Sequence, residues 1–264
     1  MIALRSFVFN VVFYLNVAFF ALLTIPFFLL PRRFMLSFAM TWARASLFWL
    51  RLICGIRFEV RGAEKIGQGV LKGPLIVAAK HQSAWETFAL MVLFEQPIYI
   101  LKRELQWLPL FGWAALKAGM ISVDRAKGAS ALIAMARRAR DEIHAGRQLI
   151  IFPEGTRRPP GAPPDYKSGI ALLYKESNVV CLPLALNSGL FWPRRTFLRY
   201  PGTIVVECCD PIAPGLAKGA FMAALQGAIE PVAERLRLEG VRELQARGVE
   251  VALAAPDQLP PRKA

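Results

Sequence analysis

The segment between Ser6 and Pro31 carries no charged side chain, and this run limits the fold more than any other feature of the chain. A run of this length suffices to cross a hydrocarbon core of roughly 30 Å as one helix. Asn10, Asn16 and Pro26 interrupt it, so a kinked helix or one lying in the membrane plane stays open. A signal peptide is the weaker interpretation, because the run is too long for one and no small-residue cleavage site follows it.

The arginines around this run predict its orientation. Only Arg5 precedes it, whereas Arg32 and Arg33 follow directly and Arg44 and Arg51 lie further on. Because positive charge accumulates on the cytoplasmic side of a membrane, the rest of the chain is expected to face the cytoplasm, at the inner membrane if the source is bacterial.

The overall composition supports a membrane partner. The formal net charge is +14 and 55% of the residues are hydrophobic. A basic surface attracts either an anionic membrane or nucleic acid. The apolar excess favours anionic membrane lipids as partners, since a nucleic-acid binder does not need it.

A second apolar segment begins at Phe34 and places Arg44 and Arg51 on one helical face. Such a segment is typical of a helix in the membrane interface, with cations reaching the headgroups. A helix packed on the following domain is the alternative. We therefore assign residues 1–56 to a membrane-anchoring helical segment.

From about Arg57 the pattern changes to short β-rich runs that alternate with helical ones. This alternation predicts an α/β domain with a mixed, mainly parallel sheet and flanking helices over residues 57–250. The polar, Pro-rich residues 251–264 are predicted to be a disordered tail. The strands are expected at residues 74–79, 97–101, 120–123, 148–152, 179–186 and 203–208, and the helices at 130–144, 168–176 and 217–247.

Two residues with acid–base chemistry follow the first of these strands. His81 and Glu86 are five residues apart, in the position where open α/β sheets place their sites. A carboxylate that bends back onto one ring nitrogen fixes the tautomer, and the other nitrogen can then take a proton from a substrate hydroxyl. The spacing alone is weak, because a capped helix start with a hydrogen-bonded histidine fits it as well.

A second polar segment, FPEGTRR, begins at Phe152 directly after another strand. Gly155 allows a ligand to approach the backbone closely. Arg157 and Arg158 offer planar donors for phosphate, and Thr156 adds a hydroxyl and a backbone N–H. An ordinary basic turn is the competing interpretation of this segment.

Together these motifs resemble those of the glycerolipid acyltransferase family, specifically the 1-acylglycerol-3-phosphate acyltransferases. That family has an HxxxxD motif followed by FPEGTR. Two further blocks of the chain, residues 101–125 and 180–186, also resemble the family, and the order agrees from Lys80 to Asn187. One position departs from the family pattern, because Glu86 stands where the family has an aspartate.

The resemblance implies a membrane-bound 1-acylglycerol-3-phosphate O-acyltransferase. His81 would deprotonate the free hydroxyl of lysophosphatidic acid, and Glu86 would orient His81. The acyl donor would be acyl-CoA or acyl-carrier protein. Further residues would contact the acceptor's phosphate and glycerol, namely Glu154, Gly155, Thr156 and Arg157, with Lys102 and Arg125 as secondary candidates.

Other functions remain as alternatives. The acceptor could be another lysolipid, such as a lyso-ornithine lipid, because the motifs do not distinguish headgroups. A non-catalytic binder of anionic membranes is the rival from a different class. The sequence predicts no metal site and no cofactor, since it has two histidines and no CxxC pair among its four cysteines, and no nucleic-acid partner.

Overall fold

A computed structural model describes residues 1–66, 73–124 and 128–249. Within these residues the helices are α1 Ile2–Leu23, α2 Arg32–Trp49, α3 Trp85–Ala89, α4 Phe111–Lys117, α5 Gly128–His144, α6 Gly169–Ser177, α7 Ser188–Phe191 and α8 Lys218–Ala246. The strands are β1 Ile56–Arg61, β2 Leu75–Ala79, β3 Pro97–Lys102, β4 Ile121–Val123, β5 Gln148–Ile151, β6 Cys181–Leu186 and β7 Gly202–Cys208.

The described strands form one seven-stranded sheet in the order β1-β7-β6-β2-β5-β3-β4. The strands from β6 to β4 run parallel, whereas β7 runs antiparallel to β6 and β1 runs parallel to β7. The predicted fold class, a mixed and mainly parallel sheet with flanking helices, is confirmed. The carboxyl ends of β2, β5 and β6 therefore meet at one edge, together with the amino ends of β1 and β7.

The central strands consist of continuous apolar runs, because both faces of the sheet are buried inside the protein there. All five residues of β2 and all six of β6 are buried. Strand β1 was not predicted, and its pattern explains why. Its sequence IRFEVR alternates apolar and charged residues at an edge of the sheet, and only Ile56 is buried.

The apolar run near the start of the chain forms α1, which ends at Leu23, and a 3₁₀ turn at Ile25–Leu29 that contains Pro26. Proline lacks the N–H that would continue the helix. Helix α1 is the one helix in the described residues that is long and apolar enough to cross a membrane, with a mean hydropathy of 2.0.

The polar residues inside this run face the protein. Ser6 Oγ accepts a hydrogen bond from the backbone N–H of Arg199 at 2.9 Å, and Asn16 Nδ2 donates to Ser46 Oγ of α2 at 3.0 Å. Phe9 is fully buried and its ring meets Trp192 edge-on at 5.4 Å. Helix α1 therefore packs along the domain, and its apolar outer face is left exposed.

Helix α2 also packs on the domain, which was one of the two interpretations of the second apolar segment. Met35, Leu36, Met40 and Ala43 belong to the same hydrophobic core as the sheet. Arg44 stays exposed on the opposite side. The two N-terminal helices thus share the core of the α/β domain.

Candidate active site

The two polar segments predicted from the sequence follow neighbouring strands. The loop Lys80–Ala84 follows β2, and the turn that begins at Phe152 follows β5. Strands β2 and β5 are parallel partners, with Ala78 opposite Ile151. Because parallel strands end at the same edge of a sheet, the two segments meet there.

His81 and Glu86 are in direct contact. His81 Nδ1 lies 3.0 Å from Glu86 Oε1, and the carboxylate is fully buried while the imidazole is 12% exposed. The same Oε1 accepts hydrogen bonds from the backbone N–H groups of Gln82 and Ser83, each at 2.6 Å. Since backbone N–H groups only donate, Oε1 is an acceptor and the shared proton lies on Nδ1. The lone pair of Nε2 is left for a substrate.

The helix start and the histidine contact use the same carboxylate. Glu86 accepts from the N–H of Ser83, and Ser83 Oγ in turn accepts from the N–H of Trp85 at 3.1 Å. The N-cap of α3 is Ala84, which makes no side-chain capping hydrogen bond, so these contacts join the loop before the helix to its first turn. The side chain of Glu86 thus contacts both the loop backbone and the imidazole. The hydrogen-bonded histidine is therefore present at the start of α3, whereas a side-chain helix cap is not.

Ser188 completes the surroundings of Glu86 and was not singled out from the sequence. Its hydroxyl donates to Glu86 Oε2 at 2.7 Å, and both side chains are buried. Ser188 is the first residue of α7, directly after the loop that follows β6. The available signal was the position of a small polar residue just beyond a strand's carboxyl end. Beside it, the N–H of Gly189 donates to Gln82 Oε1 at 3.1 Å.

The imidazole of His81 is held by a ring as well as by the carboxylate. It stacks on Phe152, with ring centroids 4.1 Å apart and the planes inclined by 14°. The backbone N–H of His81 donates to Glu154 Oε2 at 3.1 Å, and its carbonyl accepts from the N–H of Arg158 at 2.8 Å. The residue is thus fixed at its ring and at its backbone by the segment after β5.

Glu154 lies behind His81 in a buried charge network. Lys80 Nζ is 3.0 Å from Glu154 Oε1 and 2.9 Å from Glu230 Oε1, and Tyr166 donates its hydroxyl proton to Glu230 at 2.6 Å. Burial raises the pKa of Glu154, and the nearby Lys80 ammonium acts against that rise. Both oxygens of Glu154 bond the loop after β2, so this residue contacts protein groups where the family resemblance suggested a substrate.

The other residues of the turn differ in their surroundings. Gly155 has φ +65°, a left-handed conformation that favours glycine. Thr156 is exposed, and Arg157 is half-buried with its carbonyl accepting from Arg194 Nη1 at 2.6 Å. The pKa of Arg194 is lowered by burial and then by the positive charges of Arg195, Arg157 and Arg158. This end of the site is therefore strongly positive and suited to an anion.

Lys102 and Arg125 were predicted as secondary contacts. Lys102 ends β3 and lines the same cavity as His81 and Arg157. Arg125 lies outside the residues that the structure describes. Arg103, next to Lys102, forms an ion pair with Asp124 at 2.5 Å.

A cavity of about 830 Å³ opens at His81 and connects the positively charged end of the site with an apolar surface. Gly155 and Arg157 line it beside the histidine, whereas most of its wall is apolar. Helices α1 and α2 contribute Phe20 and Phe38 to that wall. A site of this shape can hold a long apolar chain with a polar, anionic end next to His81.

Comparisons with known proteins show which families and folds this chain resembles. The family model described as Acyltransferase matches residues 57–187. The chain is 39% identical over 165 residues to the 1-acyl-sn-glycerol-3-phosphate acyltransferase of Pseudomonas aeruginosa, covering 62% of this chain and 63% of that protein. It is 30% identical over 173 residues to the alpha form of Mus musculus, covering 64% and 60%. The chain thus matches less than two thirds of the length of these relatives.

The fold is also similar to a solved structure. The crystal structure of the 1-acyl-sn-glycerophosphate (LPA) acyltransferase PlsC from Thermotoga maritima superposes with a TM-score of 0.70, over 94% of this chain and 99% of that one. The sequence identity of 22% makes this a likeness of fold. Residues 57–187 therefore match the acyltransferase family, and the chain is similar in sequence to the 1-acyl-sn-glycerol-3-phosphate acyltransferases over part of its length.

Proposed function

We propose that this protein transfers a fatty acyl group to the free hydroxyl of 1-acylglycerol-3-phosphate and so forms phosphatidic acid for phospholipid synthesis. The observation that carries the proposal is the position of His81. It lines a largely apolar cavity beside Arg157, and its Nδ1 is held by the buried carboxylate of Glu86. The relatives named for this reaction support the choice of acceptor.

The catalytic pair acts by general base catalysis. His81 Nε2 takes the proton of the acceptor hydroxyl as that oxygen attacks the thioester carbonyl of acyl-CoA or acyl-carrier protein. The C–O bond forms, the C–S bond breaks, and the proton passes from the imidazolium to the leaving thiolate. Glu86 holds the tautomer and stabilises the positive charge on the ring while the proton resides there. Holding both substrates side by side removes any need for a covalent acyl-enzyme.

The acceptor's phosphate is assigned to the positive end of the cavity. Arg157 provides the planar guanidinium, and Lys102 stands at the same cavity from the end of β3. Gly155, which lines the cavity, allows the ligand to approach the backbone of the turn, and the exposed Thr156 beside it offers a hydroxyl. Glu154 supports the acceptor indirectly, because it fixes the backbone N–H of His81.

Membrane binding is assigned to the N-terminal helices. The exposed face of α1 is apolar, with Leu15 and Leu22 both 65% exposed, while its inner face packs on the domain. A helix held in this way lies in one leaflet, with the site facing the cytoplasm. Because Phe20 and Phe38 line the cavity, an acyl chain would pass from the bilayer directly to His81.

Two alternatives predict different results in one experiment. A purified preparation is assayed with a panel of lysolipids and with both donor types. We expect 1-acylglycerol-3-phosphate to be the best acceptor, and product formation with each donor then identifies the donor. Transfer only to another lysolipid, such as lyso-ornithine lipid, would replace the acceptor assignment. Binding to anionic vesicles with no transfer to any acceptor would support the non-catalytic alternative.

A further inference from the structure

A second cleft lies at the same edge of the sheet but apart from the catalytic site. Its volume is about 480 Å³, and it is formed where the start of α1, the end of α2 and the amino ends of β1 and β7 meet. It shares no lining residue with the cavity at His81. Strand β1 is three positions from β2 in the sheet, which corresponds to about 14 Å at the usual strand spacing.

Four arginines line this cleft, one from each of four segments. They are Arg5 of α1, Arg51 just after α2, Arg57 of β1 and Arg247 just after α8. Arg247 pairs with Glu243 at 3.0 Å, whereas the other three make no ion pair with any residue that the structure describes. Glu243 also accepts a hydrogen bond from the N–H of Thr203 at 3.1 Å. The positive charge in the cleft is therefore left largely uncompensated.

The cleft also has an apolar border. Phe48 and Leu52 line it and are 58% and 64% exposed. Helices α1 and α2 pack antiparallel, so Arg5 near the start of α1 is a neighbour of Cys54, which follows α2. Phe48 and Leu52 therefore extend the exposed apolar surface of α1. A ligand with an anionic head in the cleft would thus place attached chains along exposed apolar side chains.

We propose that this cleft binds the phosphate headgroup of an anionic diacyl phospholipid from the membrane leaflet in which the protein lies. Arginine guanidinium groups are the donors best suited to phosphate oxygens, and several of them around one concavity bind more tightly than scattered surface charge. The apolar border selects a lipid over a free anion, because it offers contacts to the acyl chains. The proposal rests on the membrane association proposed above, and it assigns a binding site separate from the catalytic one.

The test uses full-length protein in neutral detergent with soluble dioctanoyl phosphatidylglycerol, so that its result does not depend on membrane association or on catalysis. Binding is followed by native mass spectrometry and calorimetry. The double variant Arg51→Gln/Arg57→Gln keeps much of the aliphatic stems and removes two charges. Arg137→Gln/Arg138→Gln removes the same charge from exposed positions of α5 and is the matched control.

We expect one lipid to bind per chain. The cleft variant should lose about 30-fold in affinity, which corresponds to roughly fivefold for each of the two arginines. The control variant should change affinity less than about threefold, and inorganic phosphate should compete only weakly. An equal loss in both double variants would mean diffuse charge and would overturn the proposal. Displacement of the lipid by millimolar inorganic phosphate would make the cleft a free-phosphate site and would overturn the choice of a lipid.

Discussion

Replacing Ser188 with alanine isolates one contact of the catalytic carboxylate. The Ser188 hydroxyl donates to Glu86 Oε2 at 2.7 Å in a fully buried setting. A hydrogen bond to a charged group contributes about 1.5–3 kcal/mol, so Ser188→Ala should lower the free energy of unfolding by about that amount. The remaining bonds from Gln82, Ser83 and His81 hold only Oε1, and the carboxylate gains freedom to rotate.

If that rotation misaligns His81, kcat should fall by roughly 10- to 150-fold, the range to which the same energies correspond. Ser177→Ala is the control, because Ser177 is also a buried serine but its hydroxyl has no hydrogen-bond partner within the described residues. This control should keep kcat within about twofold. The assay is steady-state acyl transfer, with denaturant unfolding of both variants. A folded Ser188→Ala protein with wild-type kcat would show that the hydroxyl does not position the pair.

Three further predictions concern the acceptor, the buried network and the membrane. Arg157→Ala should raise KM for the acceptor with little change in kcat, as measured by initial rates at varied acceptor, and an unchanged KM would remove its phosphate role. Lys80→Met should lower the free energy of unfolding by about 3–5 kcal/mol in a denaturant titration, because Glu154 is left buried without its cationic partner. A loss under about 1 kcal/mol would mean that the buried charge network contributes little to stability. Leu15→Glu/Leu22→Glu should reduce co-sedimentation with vesicles, and unchanged sedimentation would place the anchor elsewhere. Deleting residues 1–50 would not replace this double substitution as a test of membrane binding, because the deletion also removes Phe9 and Met40 from the hydrophobic core.

The sequence predicted most of the fold because the central strands carry strong local signals. Strand β2 and strand β6 are buried on both faces, and their apolar runs stand out against the flanking turns. Strand β1 was missed although its residues alternate, because it is short, every second residue is charged, and of its residues only Ile56 is buried. Its partner β7 is distant in the chain, and only the folded sheet brings them together.

The candidate site was partly predictable because some of its residues also carry local sequence signals. His81, Glu86 and the turn after Phe152 lie in short motifs next to strands, so a pattern of neighbouring residues identifies them. Ser188 contacts Glu86 across 102 positions of sequence, and no local pattern reports such a contact. The buried position of Glu154 was equally hidden, because its partners Lys80 and His81 belong to a different loop.

The most direct test of the central claim compares the two histidines of the chain in one assay. Phosphatidic acid formation is measured with purified wild-type, His81→Ala and His144→Ala proteins. His144 ends α5 and its Nε2 contacts the carbonyl of Ser177 at 2.8 Å. The account predicts that His81→Ala lowers kcat by about 10²–10⁴-fold while the protein stays folded, and that His144→Ala keeps most of the activity. Retained transfer in a folded His81→Ala protein would contradict the assignment of His81 as the general base.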